Sequence, residues 1–191
     1  IGVRLVGSEM CIRDRLKEKG IAFIEVNLSV VQCMQEHIGE DILQILRKYE
    51  IDPAMINLEI TESAAAYSEE RLIQNMKKMK AAGLSFSLDD YGSGYSNINY
   101  LVDLPFSIVK IDKYLVWAAM KNETSKVILE NIIAMFKKIH LDVVTEGIED
   151  LTMAQLITEM GADYIQGYYY SKPLPKEKVL ECLEPGYLKQ L

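Results

Sequence analysis

The chain has 191 residues, a formal net charge of −7 at pH 7 and 49% hydrophobic residues, a length that suits one domain with a sizeable core. Its acidic balance argues against a broad surface for DNA, RNA or anionic membranes, but a small anionic ligand stays possible because metal ions can supply positive charge locally. Three scattered cysteines indicate a reduced, cytoplasmic protein, and two histidines are too few for a histidine-rich metal site.

The first fifteen residues differ from the rest of the chain. The sequence starts without methionine, and residues 6–15, VGSEMCIRDR, have neither the apolar centre of a signal peptide nor a clear period. This segment resembles translated sequencing-adapter read-through. We therefore expect residues 1–15 to be non-native and residues 16–191 to form a single domain.

Six short apolar runs predict buried parallel strands, because each is rich in Val, Ile or aromatic residues. The runs are residues 21–29, 55–61, 84–90, 106–112, 141–147 and 164–170. Helical spacing predicts the helices between them at residues 40–49, 68–83, 123–139 and 153–160, with a last helix from Pro175. In the helix at 123–139, the side chains predicted to face inward are Val127, Ile128, Ile132, Ile133 and Phe136.

Alternating strands and helices predict an α/β fold with a parallel sheet. Two architectures fit this alternation, an open doubly wound sheet and a TIM-like (β/α)8 barrel. Six predicted strands are fewer than the eight of a barrel. If the fold is a barrel, we expect it to be incomplete at the amino end.

Polar side chains recur near the carboxyl ends of the predicted strands. They are Asn27, Glu59, Glu62, Asp89, Asp90, Lys110, Asp112, Glu146 and Gln166. In a barrel these ends share the face on which βα-loops build the active site. Scattered surface residues have no reason to follow strand ends, so the pattern indicates a functional site.

The donor set of this site indicates a hard divalent cation. Carboxylates with one amide suit Mg²⁺ or Mn²⁺ better than zinc. Adjacent Asp89 and Asp90 repel each other, and two cations about 3.5–4 Å apart, the arrangement used for in-line displacement at phosphorus, would relieve that repulsion. The sequence therefore predicts a two-metal phosphoryl-transfer site, although an isolated pair of aspartates is more often a solvated turn.

Six segments, in matching order and spacing, make the chain resemble the EAL domain family. They are VNLSVVQ (26–32), LEITES (58–63), DDYGSGYSN (89–97), LPFSIVKID (104–112), TEGIE (145–149) and QGYYYSKPL (166–174). The resemblance implies a modified TIM barrel that hydrolyses cyclic di-GMP to linear 5′-pGpG with two Mg²⁺ or Mn²⁺ ions. It also implies a homodimer and, in the parent protein, an upstream sensor or GGDEF domain or a membrane anchor.

The resemblance implies a role for each residue at the strand ends. The implied metal ligands are Asn27, Glu59, Asp89, Asp90 and Glu146, with Asp89 shared between the two ions. The implied catalytic group is Lys110, Glu146, Gln166 and Glu62. The implied substrate and dimer loop comprises Tyr91, Gly92, Ser93, Gly94, Tyr95 and Ser96, with Asp112 beside it. Lys110 would hold the attacking water or the developing negative charge, Glu146 could act on that water, and Glu62 would anchor the loop.

Three functions stay open at this point. No Glu-Ala-Leu triplet occurs in the sequence, whereas the resemblance implies one upstream of Asn27 whose glutamate binds metal. The chain could therefore be a phosphodiesterase, or a catalytically silent cyclic di-GMP receptor or inactive fragment. The third function is a Schiff-base aldolase with Lys110 as nucleophile. Because that chemistry does not need a cluster of oxygen ligands, we expect the phosphodiesterase.

Overall fold

A computed structural model of the chain describes residues 21–62, 70–94, 100–175 and 178–179. The strands in this part are β1 (Ile24–Asn27), β2 (Ile56–Thr61), β3 (Ser85–Tyr91), β4 (Ile108–Ile111), β5 (Asp142–Thr145) and β6 (Tyr164–Ile165). They form one parallel sheet in the order β1 to β6. An unbroken sequential order is that of a barrel, because a doubly wound sheet reverses its strand order at a switch point. The curled sheet is thus part of a TIM-like barrel, as predicted.

The strands alternate with helices, which are numbered here in chain order. They are α1 (Val30–Cys33), α2 (Ile38–Lys48), α3 (Glu70–Ala81), α4 (Tyr100–Asp103), α5 (Lys113–Ala119), α6 (Glu123–Lys138) and α7 (Leu151–Glu159), with a 3₁₀ turn at Pro53–Met55. The structure confirms the helices predicted at 40–49, 123–139 and 153–160 to within about two residues. The short helices α1, α4 and α5 were not predicted, since segments this short give almost no helical period.

The hydrophobic core lies between the sheet and the helices. Successive strand residues point to opposite faces of a sheet, so the apolar residues Phe86 and Leu88 of β3 pack outward while Ser85 and Ser87, which alternate with them, face the barrel interior. On the helix side, Met76 and Phe136 are completely buried in the same hydrophobic cluster. This separation leaves the barrel interior to polar side chains.

The inward face of α6 differs from the prediction. Ile133 and Phe136 are buried as predicted, and Ile132 is partly buried. Val127 and Ile128, however, are 48% and 49% exposed, while Leu129 is buried in their place. Only the stripe through Leu129, Ile133 and Phe136 faces the sheet, and an apolar residue beside such a stripe can remain in water.

Strand β6 is shorter than predicted. It ends at Ile165, and the tyrosines predicted to continue it lie in a turn, with Tyr168 61% exposed. The backbone of Ile148 explains the turn, because its N–H donates to the carbonyl of Gln166 (3.2 Å) and its carbonyl accepts from Tyr169 N–H (3.0 Å). These bonds to a neighbouring loop take the place of a continued strand ladder.

Several predicted features lie outside the described residues. They are residues 1–15, the first two residues of the helix predicted at 68–83, the loop residues Tyr95 and Ser96, and most of the predicted last helix. Among the helices that the structure does describe, none combines the length and the apolar character needed to cross a bilayer.

We predict that Gly167→Ala strongly destabilises the fold. A Cβ on Gly167 would overlap backbone atoms of Ile148, which cannot move without breaking the bonds of the tyrosine turn. We expect the free energy of unfolding to fall by about 3 kcal/mol, at the upper end of overpacking effects. Gly94→Ala is the matched control, because its Cβ would meet no atom within 4 Å. Equal urea midpoints for the two variants would contradict this packing.

Candidate active site

The barrel-facing side chains of the first three strands form a polar layer. The strand register places Glu25 beside Asn57, and Asn57 beside Ser85. Asn57 Nδ2 donates to Ser85 Oγ (3.0 Å), and Ser87 Oγ donates to Asn57 Oδ1. Because Asn57 and Ser87 are completely buried, these bonds satisfy groups that would be costly unpaired. The layer lies below the strand ends where the functional residues were predicted.

Lys110 is the charged centre of the site. Its buried Nζ forms an ion pair with Glu59 and lies 2.9 Å from Glu146 Oε1, 3.4 Å from Asp89 Oδ1 and 3.9 Å from Glu25 Oε2. Burial lowers the pKa of Lys110, but hydrogen bonds to Glu59 and Glu146 and the charges of Glu146 and Asp89 outweigh it, so the pKa is raised above its ordinary value. The lysine is therefore a permanent cation at neutral pH.

A β-bulge brings two adjacent aspartates to one face. The register of β3 against β4 shifts between Leu88 and Tyr91, so Asp89 and Asp90 together oppose Lys110. Asp90 adopts a left-handed φ of 58°, a conformation that aspartate tolerates better than most residues. In a regular strand one of the two carboxylates would point into the helix layer. The bulge is what makes the adjacent pair usable as a single site.

Three carboxylates here could share a cation. Asp89, Asp90 and Glu146 each offer an oxygen within 4.8 Å of the others. Burial raises the pKa of Asp90 and of Glu146, and the charge of Asp89 raises both further, while Lys110 opposes the increase. Asp89 Oδ1 is buried and accepts no hydrogen bond from the described residues. Crowded oxygen donors with an unsatisfied buried atom fit a hard divalent cation.

The other predicted ligands lie at the same edge of the sheet. Asn27 and Glu59 are register partners at the ends of β1 and β2, and Glu59 is buried whereas Asn27 is exposed. Gln166 follows β6, and its backbone N–H donates to the carbonyl of Thr145, next to Glu146 (2.9 Å). The Gln166 side chain is exposed. The structure brings these residues to one edge, and their roles toward metal or substrate stay predictions.

Glu62 accepts a hydrogen bond from the start of the glycine loop. The backbone N–H of Gly92 donates to Glu62 Oε2 (3.1 Å), and Glu62 is buried. Gly92 has a φ of 91°, and a Cβ there would overlap Leu115. Ser93 and Gly94 follow as exposed residues. The bond is consistent with the predicted anchoring role of Glu62.

Two residues of the predicted loop group have structural contacts. The ring of Tyr91 is buried and packs edge-to-face on Phe136 of α6, with ring centroids 4.8 Å apart. Asp112 caps α5, because its Oδ1 accepts from the backbone N–H of Tyr114 (2.8 Å). These contacts explain the presence of Tyr91 and Asp112 without a substrate.

The sequence analysis missed Glu25. This residue lies two positions before Asn27 on β1, so both side chains face the barrel interior. Its side chain is 27% exposed, and burial raises its pKa despite the opposing charge of Lys110. The sequence contained a signal for Glu25. Side chains two positions apart on a strand point to the same face, so an acid at position 25 reaches the same interior as Asn27.

The sequence of this chain matches that of a known domain family. A sequence profile of the EAL domain matches residues 9–173. The chain belongs to the EAL domain family. The match covers all six strands and the polar edge described above.

Curated EAL relatives include three named bacterial proteins. The chain is 31% identical over 172 residues to "Signaling protein YkoW" of Bacillus subtilis, covering 89% of this chain and 22% of YkoW. It is 36% identical over 172 residues to "Probable cyclic di-GMP phosphodiesterase PdeB" of Escherichia coli, covering 90% and 32%. It is 31% identical over 158 residues to "Cyclic di-GMP phosphodiesterase NbdA" of Pseudomonas aeruginosa, covering 80% and 20%. The chain thus spans at most about a third of these relatives.

Solved structures of EAL proteins share the fold. The EAL enzyme Bd1971, bound to cAMP and cyclic di-GMP, superimposes with a TM-score of 0.85 at 26% identity, covering 93% of this chain and 48% of Bd1971. The PaMucR phosphodiesterase in complex with cyclic di-GMP gives a TM-score of 0.79 at 30% identity, covering 90% and 71%. Both comparisons support the interpretation of the curled sheet as part of an EAL barrel.

We predict that Asp90→Asn stabilises the metal-free protein at pH 7. Burial beside Asp89 raises the pKa of Asp90, so the fold favours its protonated form. That contribution is present below the ordinary pKa of aspartate and is lost as the pH rises through the raised pKa. After allowance for solvent screening, we expect a gain of about 0.5 kcal/mol at pH 7 that shrinks toward pH 4.

Calorimetry in the presence of a chelator measures this gain in stability. Repeating the measurement with Mn²⁺ tests whether Asp90 takes part in binding the cation. Mn²⁺ should raise the melting temperature of the native protein more than that of Asp90→Asn, because a cation stabilises only the state that binds it. Asp103→Asn, at an exposed position on α4, is the matched control and should behave like the native protein. A destabilised Asp90→Asn, or equal Mn²⁺ effects in all three proteins, would contradict the prediction.

Proposed function

We propose that this EAL domain hydrolyses cyclic di-GMP to linear 5′-pGpG. The observation that carries the proposal is the group of Asp89, Asp90 and Glu146 beside the ammonium of Lys110. The carboxylates can hold cations, and these cations together with the ammonium of Lys110 would attract the negative charge of a phosphodiester substrate. The names of NbdA and PdeB, and the PaMucR complex with cyclic di-GMP, support this choice of substrate.

The proposed cofactor is a pair of Mg²⁺ or Mn²⁺ ions. Asp89, Asp90 and Glu146 would hold one ion, and Asn27 and Glu59 would join Asp89 in holding the other. When bound, such ions polarise phosphoryl oxygens and make a water more acidic. Asp89, whose buried Oδ1 lacks a hydrogen bond within the described residues, would contribute to holding both ions.

The chain's own groups have separate tasks in this reaction. Lys110 places a permanent positive charge where the attacking water or a phosphoryl oxygen becomes negative. Glu146, whose pKa is raised by burial, accepts a proton from that water. The water oxygen bonds to phosphorus, one phosphorus–O3′ bond breaks, and the released 3′ oxygen takes a proton. Gln166 presents an exposed amide to water or substrate at the same edge.

The loop that begins at Gly92 is proposed to fold over the metals and to contact a second subunit. Glu62 fixes the start of this loop through its bond to Gly92 N–H. A homodimer formed through this loop, and fusion to a sensor or GGDEF domain in the parent protein, remain predictions.

The raised pKa of Lys110 argues against the aldolase alternative. A Schiff-base lysine must lose its proton to attack a carbonyl, and a lowered pKa favours that loss. The carboxylates around Lys110 have the opposite effect. The lysine is therefore suited to electrostatic stabilisation and poorly suited to nucleophilic attack.

Chromatography of cyclic di-GMP incubated with the 191-residue chain and Mn²⁺ tests the proposal. We expect linear 5′-pGpG, no product with chelator, and at least a ~100-fold lower rate in Asp89→Asn, because that change removes a shared ligand. Asp103→Asn is the control and should keep the native rate. Cyclic di-GMP that binds in calorimetry but is not cleaved would overturn the proposal in favour of a receptor, and metal-independent product would overturn the two-metal site.

A further inference from the structure

The carboxylate of Glu25 belongs to the charged centre of the site and has no part in the chemistry proposed above. It lies 3.9 Å from Lys110 Nζ, in the polar interior rather than on the outer surface of the sheet. Its strand is held by β2 through four consecutive register pairs, so its Cα is fixed relative to Glu59. Burying a further carboxylate here costs free energy, because three other carboxylates already contact the same ammonium. This cost indicates that Glu25 has a role of its own.

We propose that Glu25 is a positioning residue that holds Lys110 in place when cations occupy the neighbouring carboxylates, an inference that rests on the proposed function. The other three partners of Lys110 are the proposed metal ligands Glu59, Asp89 and Glu146. Once they bind divalent cations, their charge is largely neutralised. The ammonium then loses attraction from these partners and is repelled by the cations.

The geometry favours a contact with Lys110 over metal ligation by Glu25. Asp89, Asp90 and Glu146 each offer an oxygen within 4.8 Å of the others, and Glu25 and Glu59 both lie outside this group, so the layer of each side chain distinguishes them. Glu25 pairs in register with Asn57, one inward-facing layer below the pair of Asn27 and Glu59. From this deeper layer it attracts Nζ without occupying a ligand position at the strand ends.

Loss of Glu25 should lower the reaction rate more than the affinity for substrate or metal. With Glu25 in place, Lys110 stays directed at the reacting oxygen while the site is loaded with cations. Without it, the repelled ammonium moves away from this position, and its stabilisation of the transition state weakens. Ground-state binding of substrate and metal changes little, because Glu25 contacts neither of them.

Glu25→Gln, which keeps the size of the side chain and removes its charge, tests the inference. We expect kcat to fall about tenfold with KM within about twofold of native, the pattern of an interaction made in the transition state. Mn²⁺ affinity, read by electron paramagnetic resonance, should stay within about threefold of native, since no ligand is lost. Glu25→Asp should recover part of the rate, and Glu130→Gln, at an exposed position on α6, is the matched control.

A double variant distinguishes action through Lys110 from a general charge effect. If Glu25 acts through Lys110, then Glu25→Gln with Lys110→Met should be no slower than Lys110→Met alone. Additive losses, an unchanged kcat in Glu25→Gln, or Mn²⁺ affinity that falls in parallel with kcat would each overturn the inference.

A measurement without turnover separates this inference from the proposed function. The Nζ signal of Lys110, observed by nitrogen-15 NMR with Mg²⁺, should persist in the native protein and broaden or shift in Glu25→Gln. Native protein that shows no hydrolysis but gives this NMR difference would refute the proposed function and keep the role of Glu25. The same signal in both proteins with Mg²⁺ would overturn the role of Glu25, whatever the activity.

Discussion

A single buried ammonium, that of Lys110, makes the rest of this site possible. Four carboxylates from β1, β2, β3 and the end of β5 converge on it, and such crowding in a barrel interior would otherwise favour their protonation. The carboxylates in turn keep the lysine charged despite its burial. One cation against several anions still leaves an excess of negative charge. Burial raises the pKa of Asp90 and of Glu146, the neighbouring negative charges raise it further, and the same excess of charge fits divalent cations.

The backbone supplies the second constraint, because adjacent residues of a regular strand cannot share a face. The bulge in β3 solves this for Asp89 and Asp90, and the left-handed φ of Asp90 leads directly into the loop that begins at Gly92. Glu62 then holds this loop from the neighbouring β2 side. The clustered carboxylates, the loop and the lysine are therefore connected through the short contact between β3 and β4. A change in the bulge would alter all three together.

The pattern of the sequence was sufficient for the alternation of strands and helices and for the edge where Asn27, Glu59, Asp89, Lys110 and Glu146 meet, because apolar runs and polar strand ends recur along the chain. The choice of a barrel over a doubly wound sheet came from the resemblance to EAL domains. The pattern was insufficient where the outcome depends on contacts between distant segments. The turn at Tyr168 depends on bonds to the backbone of Ile148, and the exposure of Val127 and Ile128 depends on where α6 meets the sheet. Glu25 was missed because strand-end position, rather than the shared face with Asn27, was used to select candidates. The bulge itself has no sequence signature beyond the aspartate pair.

The most direct test of the central claim is the anomalous difference density of a crystal of this chain soaked in Mn²⁺. We predict a peak coordinated by Asp89, Asp90 and Glu146, with Lys110 still beside the cluster and in contact with Glu25. A second peak near Asn27 and Glu59 would complete the proposed pair of ions. Mn²⁺ bound only elsewhere, or Lys110 displaced from the barrel interior into solvent while the three carboxylates stay without metal, would contradict it.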